Sequence, residues 1–359
     1  MGCVRRGGAR PADVVTSRTM LRRTLAVAAS VLALSAGCGS SSPRFGGLSD
    51  LPFEDEPRCE QGIAVACTQL GTRLVTGTMV PADPPRGAKL LERGCDLGDM
   101  KGCVILARLF LEGRGVSADA RRSATLSRSA CEGGEASGCT SLGSQYATGT
   151  GVPEDSAKAA ELFRRGCEGS DARGCSALGA SMILGKGTAK NGKRGAEFLA
   201  RGCDLGDGEA CGMLGSAELH GLDIPPNAAA APRHLARGCE VGVARSCSDL
   251  GLCFVRGFGV TQDPDKAAKL FGKACDAGYL EACSNLGVLF SAGNAKADLM
   301  RASTYFRKAC NGAYLYACYK LGEMYRAGRG VPKNDAEADA LLKKACAGGV
   351  KDACETATM

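Results

Sequence analysis

The 359-residue sequence has two histidines in all and, despite its 21 cysteines, no C-x-x-C. A histidine-built metal hydrolase is excluded, and zinc is left without its usual ligand spacing. G-x-S-x-G, S-x-x-K and K-T-G are all missing, so neither a nucleophile elbow nor the penicillin-interacting serine motifs are present. "GASMILGKGT", residues 179–188, has the glycines of a phosphate loop without its G-K-[ST] ending, and reads as repeat punctuation. Basic charge is scarce once it is located. The formal charge is +7, but residues 1–37 hold six Arg and one Asp, leaving 39 basic against 37 acidic residues in the remainder. That balance offers no surface for nucleic acid.

A membrane-spanning run is lacking near the N-terminus as well. Leu25–Ala36 is apolar but too short to cross a bilayer. It follows a basic head in "MLRRTLAVAASVLALSAGC", residues 20–38, and precedes small residues, the layout of an export signal. The "LSAGC" ending resembles a bacterial lipoprotein signal, which implies lipidation of Cys38 as the mature N-terminus. Simple cleavage, giving a soluble secreted protein, is the alternative. Gly39, rather than Asp, after Cys38 implies the outer membrane by the same analogy. Residues 1–19 fit no part of a signal, so Met20 is the expected start. "GSSSPRFGGLSDLPFEDEP" has little to bury and is expected to act as a flexible tether over 38–58. The expected organisation is an extension and signal over 1–37, the tether, a repeat region over 59–354, and a tail over 355–359.

What the chain has in abundance is cysteine at a fixed interval. Nine pairs stand eight residues apart: Cys59 and Cys67, Cys95 and Cys103, Cys131 and Cys139, Cys167 and Cys175, Cys203 and Cys211, Cys239 and Cys247, Cys275 and Cys283, Cys310 and Cys318, and Cys346 and Cys354. Aligned on the second cysteine, eight units run from "CTQLGTRLVTG" at Cys67 to "CYKLGEMYRAG" at Cys318. The period is 36 residues, or 35 for the unit starting at Cys283. Such a period predicts an all-α α/α solenoid, a superhelix of eight helix-turn-helix units. In the third unit Cys139, Leu142, Gly143 and Tyr146 share one face of a helix A, which Gly149 stops. Gly77, Gly113, Gly185, Gly221, Gly257, Gly293 and Gly328 repeat that stop. The glycine of "LG" inside helix A predicts close approach of a neighbouring helix. "SAKAAELFRRGC" forms a helix B with Ala159, Leu162, Phe163 and Cys167 on one face. Each pair thus joins the end of a helix B to the start of the next helix A. In an exported protein the pairs are expected to be disulfides at every repeat junction, each closing a nine-residue loop worth ~2.5 kcal/mol. Zinc is the competing reading, disfavoured by the missing ligand spacing, the two histidines and export.

"LG-x-x-Y" in helix A, the "G-x-GV" turn of "GTGVPED" and "KAAKLFGKAC" in helix B resemble Sel-1-like repeats, relatives of the tetratricopeptide repeat. The resemblance covers residues 59–354. The cysteine pair in each unit is similar to that of the Hcp family, cysteine-rich secreted repeat proteins described as β-lactamase-like. It implies a non-enzymatic scaffold for a protein or peptide partner in the cell envelope; the alternative it implies is a binder of β-lactams or muropeptides with slow hydrolysis. Peptidoglycan fragments are then a second partner class. No catalytic residue, cofactor, metal or nucleic acid is expected, and the membrane is expected to be met through the lipid anchor only.

By analogy with the tetratricopeptide groove, helices A line the concave side. The inward residues are expected to be Thr72, Arg108, Ser144, Ala180, Ser216, Leu252, Val288 and Glu323, joined by Thr76, Glu112, Thr148, Leu184, His220 and Arg256. The row is small and mixed, as suits an extended peptide. His220 and His234 read as surface or packing residues. Cys253 has no partner eight residues away and reads as a free thiol filling apolar space, the alternative being an intermolecular disulfide or a reactive thiol. The repeat breaks at Pro232, where helix B is expected to start late or kink. The preceding turn gathers Lys186, Lys190, Lys193 and Arg194, expected as solvated residues or as a rim for an anionic partner.

Overall fold

A computed structural model describes residues 51–292 and 296–357. The signal, Cys38, residues 38–50 of the tether and the Gly293 stop lie outside the described residues. Two kinds of helix alternate, with no strand among the described residues. The A helices are α2 (Ala64–Thr76), α4 (Met100–Glu112), α6 (Ala136–Thr148), α8 (Ala172–Leu184), α10 (Gly208–His220), α12 (Ala244–Arg256), α14 (Leu280–Ser291), α16 (Leu315–Ala327) and the shorter α18 (Lys351–Ala357). The B helices are α1 (Leu51–Glu60), α3 (Pro84–Asp96), α5 (Ala120–Glu132), α7 (Ser156–Glu168), α9 (Gly192–Asp204), α11 (Ala231–Glu240), α13 (Pro264–Asp276), α15 (Lys296–Asn311) and α17 (Asp335–Ala347). Each A helix packs on the B helix that follows it, and each B helix on the next A.

Local chemistry accounts for the boundaries. Asp83, Asp119, Asp155, Asn191, Asp263 and Asn334 cap the B helices, their side chains accepting from the backbone N–H three residues on. Glycines in the left-handed region, at φ 65–73°, end the A helices from α2 to α12 and α16.

At the junctions all nine predicted pairs are disulfides, with Cα atoms 4.4–4.8 Å apart. Cys59 is bonded to Cys67, Cys95 to Cys103, Cys131 to Cys139, Cys167 to Cys175 and Cys203 to Cys211. Further along, Cys239 is bonded to Cys247, Cys275 to Cys283, Cys310 to Cys318 and Cys346 to Cys354. The register expected from the repeat therefore holds from the first junction to the last. A basic residue two positions before the junction cysteine adds a second tie. Arg165 donates to the Cys131 carbonyl (3.3 Å), Arg237 to Cys203 (2.7 Å), Lys273 to Cys239 (2.6 Å) and Lys344 to Cys310 (3.3 Å). Each cation therefore caps the C-terminal carbonyls of the preceding unit's B helix.

The glycine of "LG" lies where the prediction needs it, between helices A and B. Gly71 meets Leu91, Gly143 Phe163, Gly179 Leu199, Gly251 Phe271 and Gly322 Leu342; a Cβ on Gly143 would stand 2.8 Å from the Phe163 ring. The unit starting at Cys103 has Ala107 in this register, and the position that is Leu91 or Phe163 elsewhere is Ser127. A larger residue on A is matched by a smaller one on B.

Three expectations change or sharpen. Residues 51–58, expected within the tether, form most of α1, because Asp55 pairs with Arg73 at 2.5 Å and Cys59 is bonded to Cys67. The acidic stretch that looked unable to bury anything buries Asp55 against that arginine. Residues 355–357, expected as tail, extend α18 beyond Cys354. Pro232 acts as predicted: α11 starts late, at Ala231, with Pro at its second position, and is ten residues long against thirteen in most units.

The turn from A to B contains a second glycine at positive φ that runs against the entry to the preceding B helix. Gly115 meets Pro84, Gly151 meets Ala120, Gly187 meets Ser156 and Gly330 meets Leu299. In the fifth unit this position is Asp223, at φ 56°, and the residue facing it is Gly192. The missing side chain has moved to the other partner, and Lys190 holds the Asp223 carboxylate at 3.0 Å. Gly192→Ala should therefore destabilise the protein by about 1–3 kcal/mol, and Asp223→Gly in the same chain should restore most of the loss. A double-mutant cycle from urea unfolding with disulfides intact checks it; additive effects would refute the coupling.

Candidate binding surface

Successive A helices touch each other along the stack more closely than successive B helices do, which places the A helices on its inner side. One face of each A helix takes in four positions: two before the second cysteine, and two, five and nine after it; at α10 and α12 this face carries the contacts of Asp249 with Arg245, Ser216 and His220. The last two are the rows expected from sequence. The first two were missed, although the spacing of four, three and four residues along one helical face would have found them. They include Gln69, Ser141, Arg245, Asp249, Asn285, Tyr316 and Lys320.

In the first and third units this surface carries hydroxyls. Thr72 donates to the Thr68 carbonyl (2.7 Å), Ser141 to Ser137 (2.8 Å), Ser144 to Thr140 (3.1 Å) and Thr148 to Ser144 (3.0 Å). With the proton given to the helix, each oxygen presents its lone pairs outward and acts as an acceptor. Arg108 and Glu112 form an exposed pair at 3.7 Å on the same face.

The middle of the stack is different. Asp249 is buried and accepts a hydrogen bond from Ser216, with His220 Nε2 at 3.6 Å and Arg245 Nε at 3.8 Å. Ser216, expected on an open groove, is thus a buried tie between α10 and α12, and a surface ligand cannot use it. His234 Nδ1 stands 2.7 Å from the buried carboxylate of Glu218. Both histidines stand beside buried carboxylates; His234, partly buried, is a packing residue, and His220 is a surface one. The order Ser216–Asp249–His220 is not that of a hydrolytic triad, in which histidine must lie between serine and the carboxylate. Among the described residues no group of three His, Cys, Asp or Glu side chains is placed to hold a metal. His220 and Arg256 are exposed, each at the end of its A helix.

At the last units a cavity of about 540 Å³ opens between α14, α15 and α16. Glu323, expected as a free groove residue, is committed: it accepts from Tyr319 Oη at 2.9 Å and Lys320 Nζ at 2.8 Å. Lys320 Nζ also lies 4.6 Å from the centre of the Tyr319 ring and 5.6 Å from that of Tyr316. Burial, with Glu323 adding to it, pushes the Tyr319 hydroxyl pKa up, so it stays a donor. In the turn after α8, Lys190 is taken by Asp223 while Lys186 is exposed; Lys193 and Arg194, expected in the same turn, lie exposed in the first turn of α9.

With helical hairpins stacked in register, the chain is an α/α solenoid. It belongs to the Sel1 repeat family, whose profile matches eight times, at residues 64–99, 101–135, 136–171, 172–207, 208–243, 244–279, 280–314 and 315–350. Proteins built on these repeats generally bind protein partners. A protective antigen of uropathogenic Escherichia coli displaying an SLR fold superposes with a TM-score of 0.73 at 24% identity, over 85% of this chain and 66% of that one, just under two thirds of its length. A Sel1 repeat protein from Oxalobacter formigenes gives 0.58 at 22%, over 84% and 88%. Cysteine rich protein B of Helicobacter pylori is 30% identical over 37% of this chain and 98% of its own, with a TM-score of 0.31. No curated protein matches.

Cys253 is the free cysteine among the described residues, and it is fully buried. Burial first, then Asp249 one turn away, pushes its thiol up to about 11, against a smaller opposing effect of Arg256. A raised thiol pKa means little thiolate at neutral pH, so this is not a reactive group. Peptide mapping after alkylation at pH 8 should find Cys253 unmodified in the native protein and modified once guanidinium unfolds it; fast native labelling would contradict the burial.

Proposed function

We propose that the protein is an exported scaffold, anchored through a lipid on Cys38, that holds a protein or peptide partner of the cell envelope along the inner face of its A helices. The observation that carries this reading is the inner face itself. A row of outward-facing hydroxyl oxygens, with exposed Arg108, His220 and Arg256, runs across helices whose positions are fixed by covalent ties. Acceptors spaced along a rigid surface suit the N–H groups of an extended peptide. Nine disulfides support export, since they persist in oxidising compartments. Among the described residues no helix is long and apolar enough to cross a membrane. The lipoprotein-like signal supports anchoring, with the outer membrane as the expected site, and peptidoglycan fragments would meet the same inner face.

Photo-crosslinking side chains at Thr72, Ser144 and Leu252 should capture a common partner in the envelope, while the same groups at Lys89 and Lys269 on the B helices should not. Capture from the B positions alone would overturn the reading. Among the described residues no serine–histidine contact stands behind the hydrolase alternative. A chromogenic β-lactam should be turned over no faster by the protein than by its Ser216→Ala variant; turnover lost with that hydroxyl would revive it.

A further inference from the structure

We infer that the cavity between α14, α15 and α16 is a recognition pocket for an acidic side chain, with an apolar neighbour, on the bound peptide; this rests on the inner-face reading above. Its volume, about 540 Å³, falls within the roughly 300–1,000 Å³ of ligand pockets. Val288, Leu299, Phe306 and Met324 make its walls apolar. Val288 and Tyr316 leave 43% and 39% of their surface open, an uncovered apolar strip on the inner face.

The charges lining it do not balance. Lys320, Arg326 and Arg329 face a single carboxylate, Glu323. Glu323 is occupied by Tyr319 and Lys320, and Arg326 is turned to Asp339 at 2.6 Å and to the Thr356 carbonyl. Among the described residues no carboxylate pairs with Arg329, which is exposed at the mouth. An incoming carboxylate would find that guanidinium and the remaining protons of Lys320. The Glu323 carboxylate in the wall limits the negative charge the site accepts, which favours a monoanion over a phosphate. The repeat itself breaks here. The unit is one residue short, and α14 has 12 residues with Ala292, at right-handed φ/ψ, as its C-cap. Ser291, the last residue of α14, is part of the cavity wall.

The test uses two fluorescein-labelled peptides on the folded protein: Gly-Leu-Glu-Leu-Gly amide and its Gln counterpart. Fluorescence polarisation at low salt should show the Glu peptide binding about tenfold tighter, a difference that narrows as salt rises. Arg329→Glu should remove the preference, whereas Lys89→Glu, on the B helix α3 and off the inner face, should leave it intact. Equal binding of both peptides, binding of neither, or a preference that survives Arg329→Glu would overturn the pocket. A photo-reactive version of the Glu peptide separates this failure from that of the wider reading. Labelling at Val288 supports both, and labelling around Ser144 removes the pocket but leaves the inner face standing. Labelling around Lys89 or Lys269 on the B helices removes both.

Discussion

The disulfide that closes nine residues between the end of one B helix and the start of the next A helix is the constraint on which the rest of the molecule depends. A two-helix unit of about 36 residues is too small to hold a core of its own, and in a stack each unit can call only on its neighbours. The bond acts at the one place where each unit meets the next. The basic residue reaching the preceding B helix's carbonyls acts at the same place, so a covalent tie and a charge-assisted one reinforce a single crossing.

With the junctions fixed, the A–B interface can be made from small contacts. Leu91, Phe163, Leu199 and Phe271 lean into the space left by a missing side chain, which lets few aromatic residues seal a long stack. The same rigidity gives the inner face its value. Side chains projecting from tied helices lose little freedom when a ligand arrives, so weak individual hydrogen bonds can add up.

Helix identity, repeat number and all nine cysteine pairings, from Cys59 with Cys67 to Cys346 with Cys354, were legible in the sequence because each is a periodic signal written eight or nine times. Single departures were harder to read. Pro232 announced itself, since one ring removes an N–H and shortens a helix whatever surrounds it. Asp55 did not, because its burial depends on Arg73 reaching it from another helix. Ser216 and Glu323 were placed on the A-helix face by the tetratricopeptide analogy, but their partners, Asp249 and the Tyr319–Lys320 pair, are set by three-dimensional neighbours. The missed inner rows were a failure of analogy rather than of signal, since the tetratricopeptide groove was followed where the helix's own period would have served.

The exchange of side chain between Gly192 and Asp223 has a bearing on how such a chain can change over generations. Repeats are commonly pictured as interchangeable beads, gained and lost by unequal recombination. Here the fourth unit carries a notch and the fifth carries the tooth that fits it. Any duplication or deletion that separates them sets Asp223 against a residue with a Cβ, so this boundary should be inherited as a block while its neighbours are free to shuffle.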